Sequence, residues 1–154
     1  MIKEIYGDLL DTKEGIICHQ TNYLGIMGGG IALAIKEKLF TEEQYAQYKR
    51  KCSMSGSLIM GDVLFTPITP QLTVANCFCQ NEYRDYDGSF TDYRAMAMCF
   101  KRVKSQAVIK DAPVLLPGYI GCGIAGGDWN KVKPLIEKAF TDIDCTIVYK
   151  GVKS

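Results

Sequence analysis

Two glycine-rich stretches, each entered from an apolar run, limit what this chain can fold into. The first holds Gly28, Gly29 and Gly30 and follows Gly15-Ile-Ile-Cys18 with the polar group His19, Gln20, Thr21 and Asn22. The second, Gly118 to Gly127, follows Val114-Leu-Leu-Pro117 directly. Short continuous apolar runs of this kind suit buried strands of a parallel sheet. A helical pattern comes after each cluster, Ile31 to Leu39 and about Asn130 to Phe140. Strand, glycine turn and helix together bring bare backbone and partially positive N–H groups to one point, an arrangement suited to an anion. The glycine spacing is not that of the dinucleotide fingerprint, and no phosphate-loop Gly-Lys-Ser/Thr occurs. Taken alone, the first stretch is equally compatible with a tight turn.

The rest of the chain alternates in the same way. Further strands are expected over Ile2 to Tyr6, Val63 to Thr66, Thr73 to Phe78 and Cys145 to Tyr149, and further helices over Glu42 to Cys52 and from Tyr93 to Ala107. Six strands and four helices in 154 residues, without repeat or linker, predict a single domain. The expected architecture is a three-layer α/β/α sandwich with a six-stranded mixed, mostly parallel sheet. In such folds a ligand lies at the carboxyl ends of the strands. Asp8, the His19–Gly30 stretch and the Gly118–Gly127 stretch all fall at that rim. The polar and aromatic segment from Asn81 to Ser89 reads as a surface loop.

Composition narrows the function. A net charge of +1 gives no general attraction to nucleic acid. Seven cysteines without a C-x-x-C pair, beside a single histidine, do not make a zinc set, so no metal is expected. The cysteines read as reduced and buried. The absence of a long apolar run and of a signal-like start leads to the expectation of a cytoplasmic monomer away from membranes.

Three motifs then carry a family resemblance. They are Gly7-Asp8-Leu9, His19-Gln-Thr-Asn22 with Gly28-Gly-Gly-Ile-Ala32, and Ile120-Gly-Cys-Gly-Ile-Ala-Gly-Gly-Asp-Trp129. In this order and on these elements, the chain resembles the macrodomains, modules that bind ADP-ribose, over essentially its whole length. Within that family it resembles the branch containing the yeast ADP-ribose-1″-phosphate phosphatase and the human terminal ADP-ribose glycohydrolase. The resemblance implies ADP-ribose or a derivative as ligand and needs no cofactor. It implies that Asp8 accepts from the adenine amine while the Leu9 amide touches the base. Asn22, with Gln20 and Thr21 beside it, would serve the distal ribose. Met27, Gly28, Gly29, Gly30, Ile31 and Ala32 would wrap the diphosphate from one side. Gly121, Cys122, Gly123, Ile124, Ala125 and Gly126 would do so from the other, with Tyr149 packing on the adenine and Tyr119 and Phe78 as rivals for that place.

The same resemblance yields a divided expectation for catalysis. The glycohydrolase works with a lysine ending a Y-L-I-T-K strand and an aspartate after G-C-G-L; this chain has Gln80 and Ala125 at those positions. Lysine-based deglycosylation is therefore not expected. The phosphatase has a histidine three residues before its ribose-binding asparagine, as His19 stands before Asn22. His19 is thus a candidate acid or base, and equally a structural hydrogen-bonder. Asp128 is either a second catalytic candidate or a helix cap. Hydrolysis of ADP-ribose-1″-phosphate is the expected activity, with a non-catalytic reader of free or protein-linked ADP-ribose as the alternative.

Overall fold

The computed structural model describes residues 2–152. Six strands form one sheet: β1 (Ile2–Gly7), β2 (Gly15–Asn22), β3 (Val63–Pro67), β4 (Leu72–Gln80), β5 (Val114–Pro117) and β6 (Cys145–Lys150). Their order is β1-β6-β5-β2-β4-β3, parallel throughout except for the edge strand β3, which runs antiparallel to β4. The helices are α1 (Gly30–Lys38), α2 (Glu42–Ser55), α3 (Tyr93–Lys110) and α4 (Trp129–Phe140). The mixed, mostly parallel sheet and the flanking helix layers are those expected.

Strand alternation divides the core between the two faces. Ile16, Cys18, Cys77 and Cys79 point to one side, where Met96, Phe100 and Val103 of α3 and Val132, Ile136 and Phe140 of α4 cover them. On the opposite face, Ile17, Val74 and Val148 pack with Ile35 of α1, and Phe78 packs with Tyr48 and Cys52 of α2. Six of the seven cysteines are buried, Cys122 is half-buried, and all are free thiols. None of the helices among the described residues is long and apolar enough to cross a membrane.

Several elements run past their expected bounds, β4 to Gln80, α2 to Ser55 and α3 to Lys110, and the extension of β2 matters most. β2 continues to Asn22 rather than ending at Cys18, because its parallel pairing with β4 persists from Gly15↔Leu72 to Asn22↔Gln80, with an irregularity between Thr21 and Asn22. The polar side chains of the extension are accommodated inside by partners. His19 Nε2 lies 2.7 Å from Asn76 Oδ1, and Thr21 Oγ1 donates to the Cys77 carbonyl. A buried polar group with a partner costs far less than one without.

Candidate functional site

A two-lobed cleft crosses the carboxyl ends of the parallel strands. One lobe, about 640 Å³, is walled by Gly7 to Leu10 after β1, by Ile31, Ala34 and Lys38 of α1, and by Val148 to Val152 apart from Tyr149. The other, about 430 Å³, lies between Gly29 to Ala32 on one side and Pro117 to Gly121 with Gly123 to Ala125 on the other. Gln20 and Gln80 also line this second lobe. Gly30, Ile31, Pro117, Gly118 and Lys150 border both lobes, so the two are continuous.

Asp8 stands at the mouth of the first lobe as the cap of a single 3-10 turn, Leu9–Asp11, its Oδ1 accepting from the Leu10 N–H at 2.9 Å. Oδ2 has no protein partner among the described residues. A carboxylate held by one oxygen and open at the other is an acceptor ready for an exocyclic amine.

The second lobe is bounded by unused backbone donors. α2, α3 and α4 are capped by the side chains of Thr41, Asp92 and Asp128, whereas Gly29 at the start of α1 offers no cap. Among the described residues the N–H groups of Gly30, Ile31 and Ala32 therefore begin the helix without partners, and they carry its positive end. Across the cleft, the amides of Gly121, Gly123, Ile124 and Ala125 are likewise unpartnered among the described residues. The loop that holds them is fixed through Gln20, Thr91 and Phe90. Gln20 Nε2 donates to Thr91 Oγ1 at 3.1 Å, and that hydroxyl donates to the Gly121 carbonyl at 2.6 Å. Phe90 N–H donates to the Ala125 carbonyl. Gly121 has φ +75°, and a Cβ there would come within 2.9 Å of Gln20 Oε1, so only glycine fits. Two facing sets of amides form a concave anion site without arginine.

Of the residues singled out in the sequence, Asp8, Leu9, Gln20, Gly29, Gly30, Ile31, Ala32, Gly121, Gly123, Ile124 and Ala125 line this cleft. Others lie elsewhere. His19 is fully buried in mid-strand on the α1/α2 side, facing Asn76 rather than either lobe. Asn76 Nδ2 donates to the Leu64 carbonyl and Thr66 Oγ1, so its Oδ1 faces His19 and the imidazole carries its proton on Nε2. Burial lowers the imidazole pKa to about 4. A neutral, enclosed ring does not reach a ligand in the cleft, so the expected acid–base position for His19 is corrected. Asp128 caps α4 by accepting from the Asn130 N–H, its cap role rather than a cleft position.

Tyr149 also departs from expectation. Strand alternation puts Val148 in the wall of the Asp8 lobe and turns Tyr149 to the opposite face, where its hydroxyl donates to Glu4 Oε1 and its ring meets Tyr6, Tyr119 and Trp129. Phe78 is buried against Tyr48. Asn22 is taken up by its own loop: Oδ1 accepts from the Leu24 N–H and Tyr48 OH, and Nδ2 donates to the Ile26 carbonyl. Thr21 and Met27 are buried, and Gly28, Cys122 and Gly126 do not line the cleft. Burial raises the Cys122 thiol to about 11, which leaves it protonated at neutral pH.

The cleft also uses residues that the sequence motifs did not single out. Pro117, Gly118 and Lys150 sit at the ends of β5 and β6, where the strand-end rule points. Ala34 and Lys38 follow the expected Ile31 at i+3 and i+7 and so share its face of α1. Among the described residues no group of three or more His, Cys, Asp or Glu is placed to hold a metal ion.

A three-layer α/β/α domain with an amide-lined cleft at its strand ends is the class of protein these features define. Neither a family model nor a curated protein matches the chain. Solved structures do match. A protein of unknown function from Bacteroides thetaiotaomicron is 28% identical with a TM-score of 0.85, covering 97% of this chain and 98% of that one. A macrodomain protein from Streptomyces coelicolor is 28% identical at a TM-score of 0.80, covering 98% and 100%. The DarTG protein of Thermosipho africanus, solved in complex with ADP-ribose, shares the fold at 16% identity and a TM-score of 0.76; the match covers 96% of this chain and 41% of that one. The chain has the fold of the macrodomains.

Proposed function

We propose that this chain binds ADP-ribose, with adenine in the Asp8 lobe, the diphosphate between the two sets of amides, and the distal ribose toward Gln20 and Gln80. One observation carries the reading: uncapped N–H groups of α1 face the unpartnered amides of the second glycine stretch across a single cleft. A diphosphate offers many acceptor oxygens, and fixed amides donate to them without loss of side-chain freedom. The complex of a structural neighbour with ADP-ribose supports the same ligand.

The side chains at the distal end favour holding the ligand over cleaving it. Gln20, Gln80 and Ala125 line that end, and none of them can take or give a proton near neutral pH. The ionisable groups lining the cleft are Asp8 and Lys38 in the adenine lobe, Lys150 bordering both lobes, and the Tyr119 phenol in the second. A reader of ADP-ribose is thus the reading favoured here, and hydrolysis of ADP-ribose-1″-phosphate is the alternative. Calorimetric titration with ADP-ribose tests binding, with AMP and Asp8→Ala as controls. Micromolar affinity, weakened about ten- to a hundredfold in the variant, is the expected result for loss of one good hydrogen bond to a charged acceptor. No heat with ADP-ribose would overturn the reading. Phosphate release from ADP-ribose-1″-phosphate well above the buffer rate would replace the reader with the hydrolase.

A further inference from the structure

Five residues, Gly30, Ile31, Pro117, Gly118 and Lys150, border both lobes of the cleft. With adenine in the Asp8 lobe and the diphosphate in the other, the passage they frame is the place of the adenosine ribose. Four of the five bring only backbone or apolar side chains to it, and Lys150 alone brings a charge. Strand alternation along β6 turns Lys150 to the same face as Val148, the wall of the Asp8 lobe, and away from the face of Tyr149. Its register partner on β1 is Gly7, so β1 puts no side chain over the lysine at that position. Lys38 lies farther along the first lobe, seven residues or about 10 Å along α1 from Ile31. Both lysines are exposed, and neither takes part in an ion pair among the described residues. Elsewhere, Lys104, Lys131 and Lys133 are paired with carboxylates, and Lys36 lies 4.4 Å from the Tyr45 ring centre. Asp8, the one carboxylate of the first lobe, holds the Leu10 N–H and pairs with neither lysine.

Two uncommitted ammonium groups along one lobe hold a positive field that plain ADP-ribose leaves unused. Its diphosphate is met by the amides, and the hydroxyls of its adenosine ribose call for no cation. A phosphate on that ribose would supply the matching charge, about −1.5 to −2 near neutral pH, and acceptor oxygens for a lysine. We propose that the preferred ligand of this cleft is an adenosine 5′-diphosphate compound whose adenosine ribose carries a further phosphate, at its 2′ or 3′ oxygen, bound by Lys150 with Lys38 adding to the field. This inference rests on the ADP-ribose reading above and names the form of the ligand that the cleft selects. Lys150 is then the residue that sets the selection, because it alone brings a charged side chain to the passage between the lobes.

The test is calorimetric titration of the full chain at low salt with two matched pairs: ADP-ribose against ADP-ribose 2′-phosphate, and ADP against its 3′-phosphate. In at least one pair the added phosphate is expected to tighten binding about tenfold, the gain of one charge-assisted hydrogen bond, and to lose most of that gain at high salt. The pair that shows the gain fixes the position of the phosphate. Lys150→Gln is expected to remove most of the gain, and Lys38→Gln a smaller part, about twofold. No gain in either pair overturns the inference and leaves the ADP-ribose reading intact. A Lys150→Gln variant that weakens both members of a pair equally also overturns it, because the lysine would then serve the diphosphate. Absence of binding by both ADP-ribose and its 2′-phosphate overturns the inference and the reading together.

Discussion

The single histidine gives the sharpest prediction for stability. His19 is fully buried, neutral and held through Nε2 to Asn76 Oδ1, while Nδ1 has no partner among the described residues. Its folded pKa, about 4, lies below the 6.5 of an exposed imidazole. Above pH 6.5 neither the folded nor the unfolded ring is charged, and the group exerts no pH effect. As the pH falls below 6.5 the unfolded chain takes up a proton that the native ring refuses, so stability falls until the pH nears 4. At pH 5.5 the two values give a loss of about 1.4 kcal/mol relative to pH 8, or about 3–6 °C in Tm for a domain of this size. Urea unfolding followed by circular dichroism from pH 8 to 5.5 measures it. The lowered carboxyl pKa values of Glu4, Asp87 and Asp142 start from 4.5 and 3.8, so they act below this window. His19→Gln retains a donor toward Asn76 without a titrating ring, and its curve is expected to lack the His19 component. A variant slope equal to that of the wild type would refute the account of a neutral, enclosed imidazole.

Three further outcomes follow from the geometry. A Cβ at Gly118 would press into the Tyr149 ring, 2.6 Å from Cε1 and 2.8 Å from Cγ. Gly118→Ala is therefore expected to destabilise by about 1–3 kcal/mol and to shift the emission of Trp129, which touches Tyr149. Tyr93→Phe removes the hydroxyl that donates to Asp87 and accepts from the Asp128 N–H. It loosens the segment that positions the second glycine stretch, so ADP-ribose should bind about three- to tenfold more weakly while AMP binding is unchanged; calorimetry of both ligands checks this. Asp8→Asn keeps an acceptor for the Leu10 N–H but removes the charge, so its ADP-ribose affinity should fall between those of the wild type and Asp8→Ala.

The element pattern was legible in the sequence because burial leaves a direct trace in residue order. The all-apolar Val114-Leu-Leu run and the i, i+3, i+7 stripe of α3 each mean one thing in a packed sandwich. The glycine stretches were legible for a related reason, since an unencumbered backbone at a strand end has few structural uses. Side-chain direction was not. His19 and Gln20 are adjacent, yet one faces a sealed interior and the other a cleft, because β2 runs four residues beyond its apolar portion. Val148 and Tyr149 exchange roles through the same two-residue alternation. The partner that seals His19 inside, Asn76, lies on another strand and leaves no mark near residue 19.

The distribution of thiols gives the molecule its own stopwatch. Cys122 alone is half-buried, in the second glycine stretch, while the other six cysteines lie inside the layers. An alkylating reagent should therefore meet two populations. Cys122 would react at the rate at which that stretch breathes, slowed by its raised thiol pKa. The remainder would react only when the layers separate. Comparing the two rates with and without a ligand in the cleft would distinguish local tightening of one loop from stabilisation of the whole fold, with no label introduced.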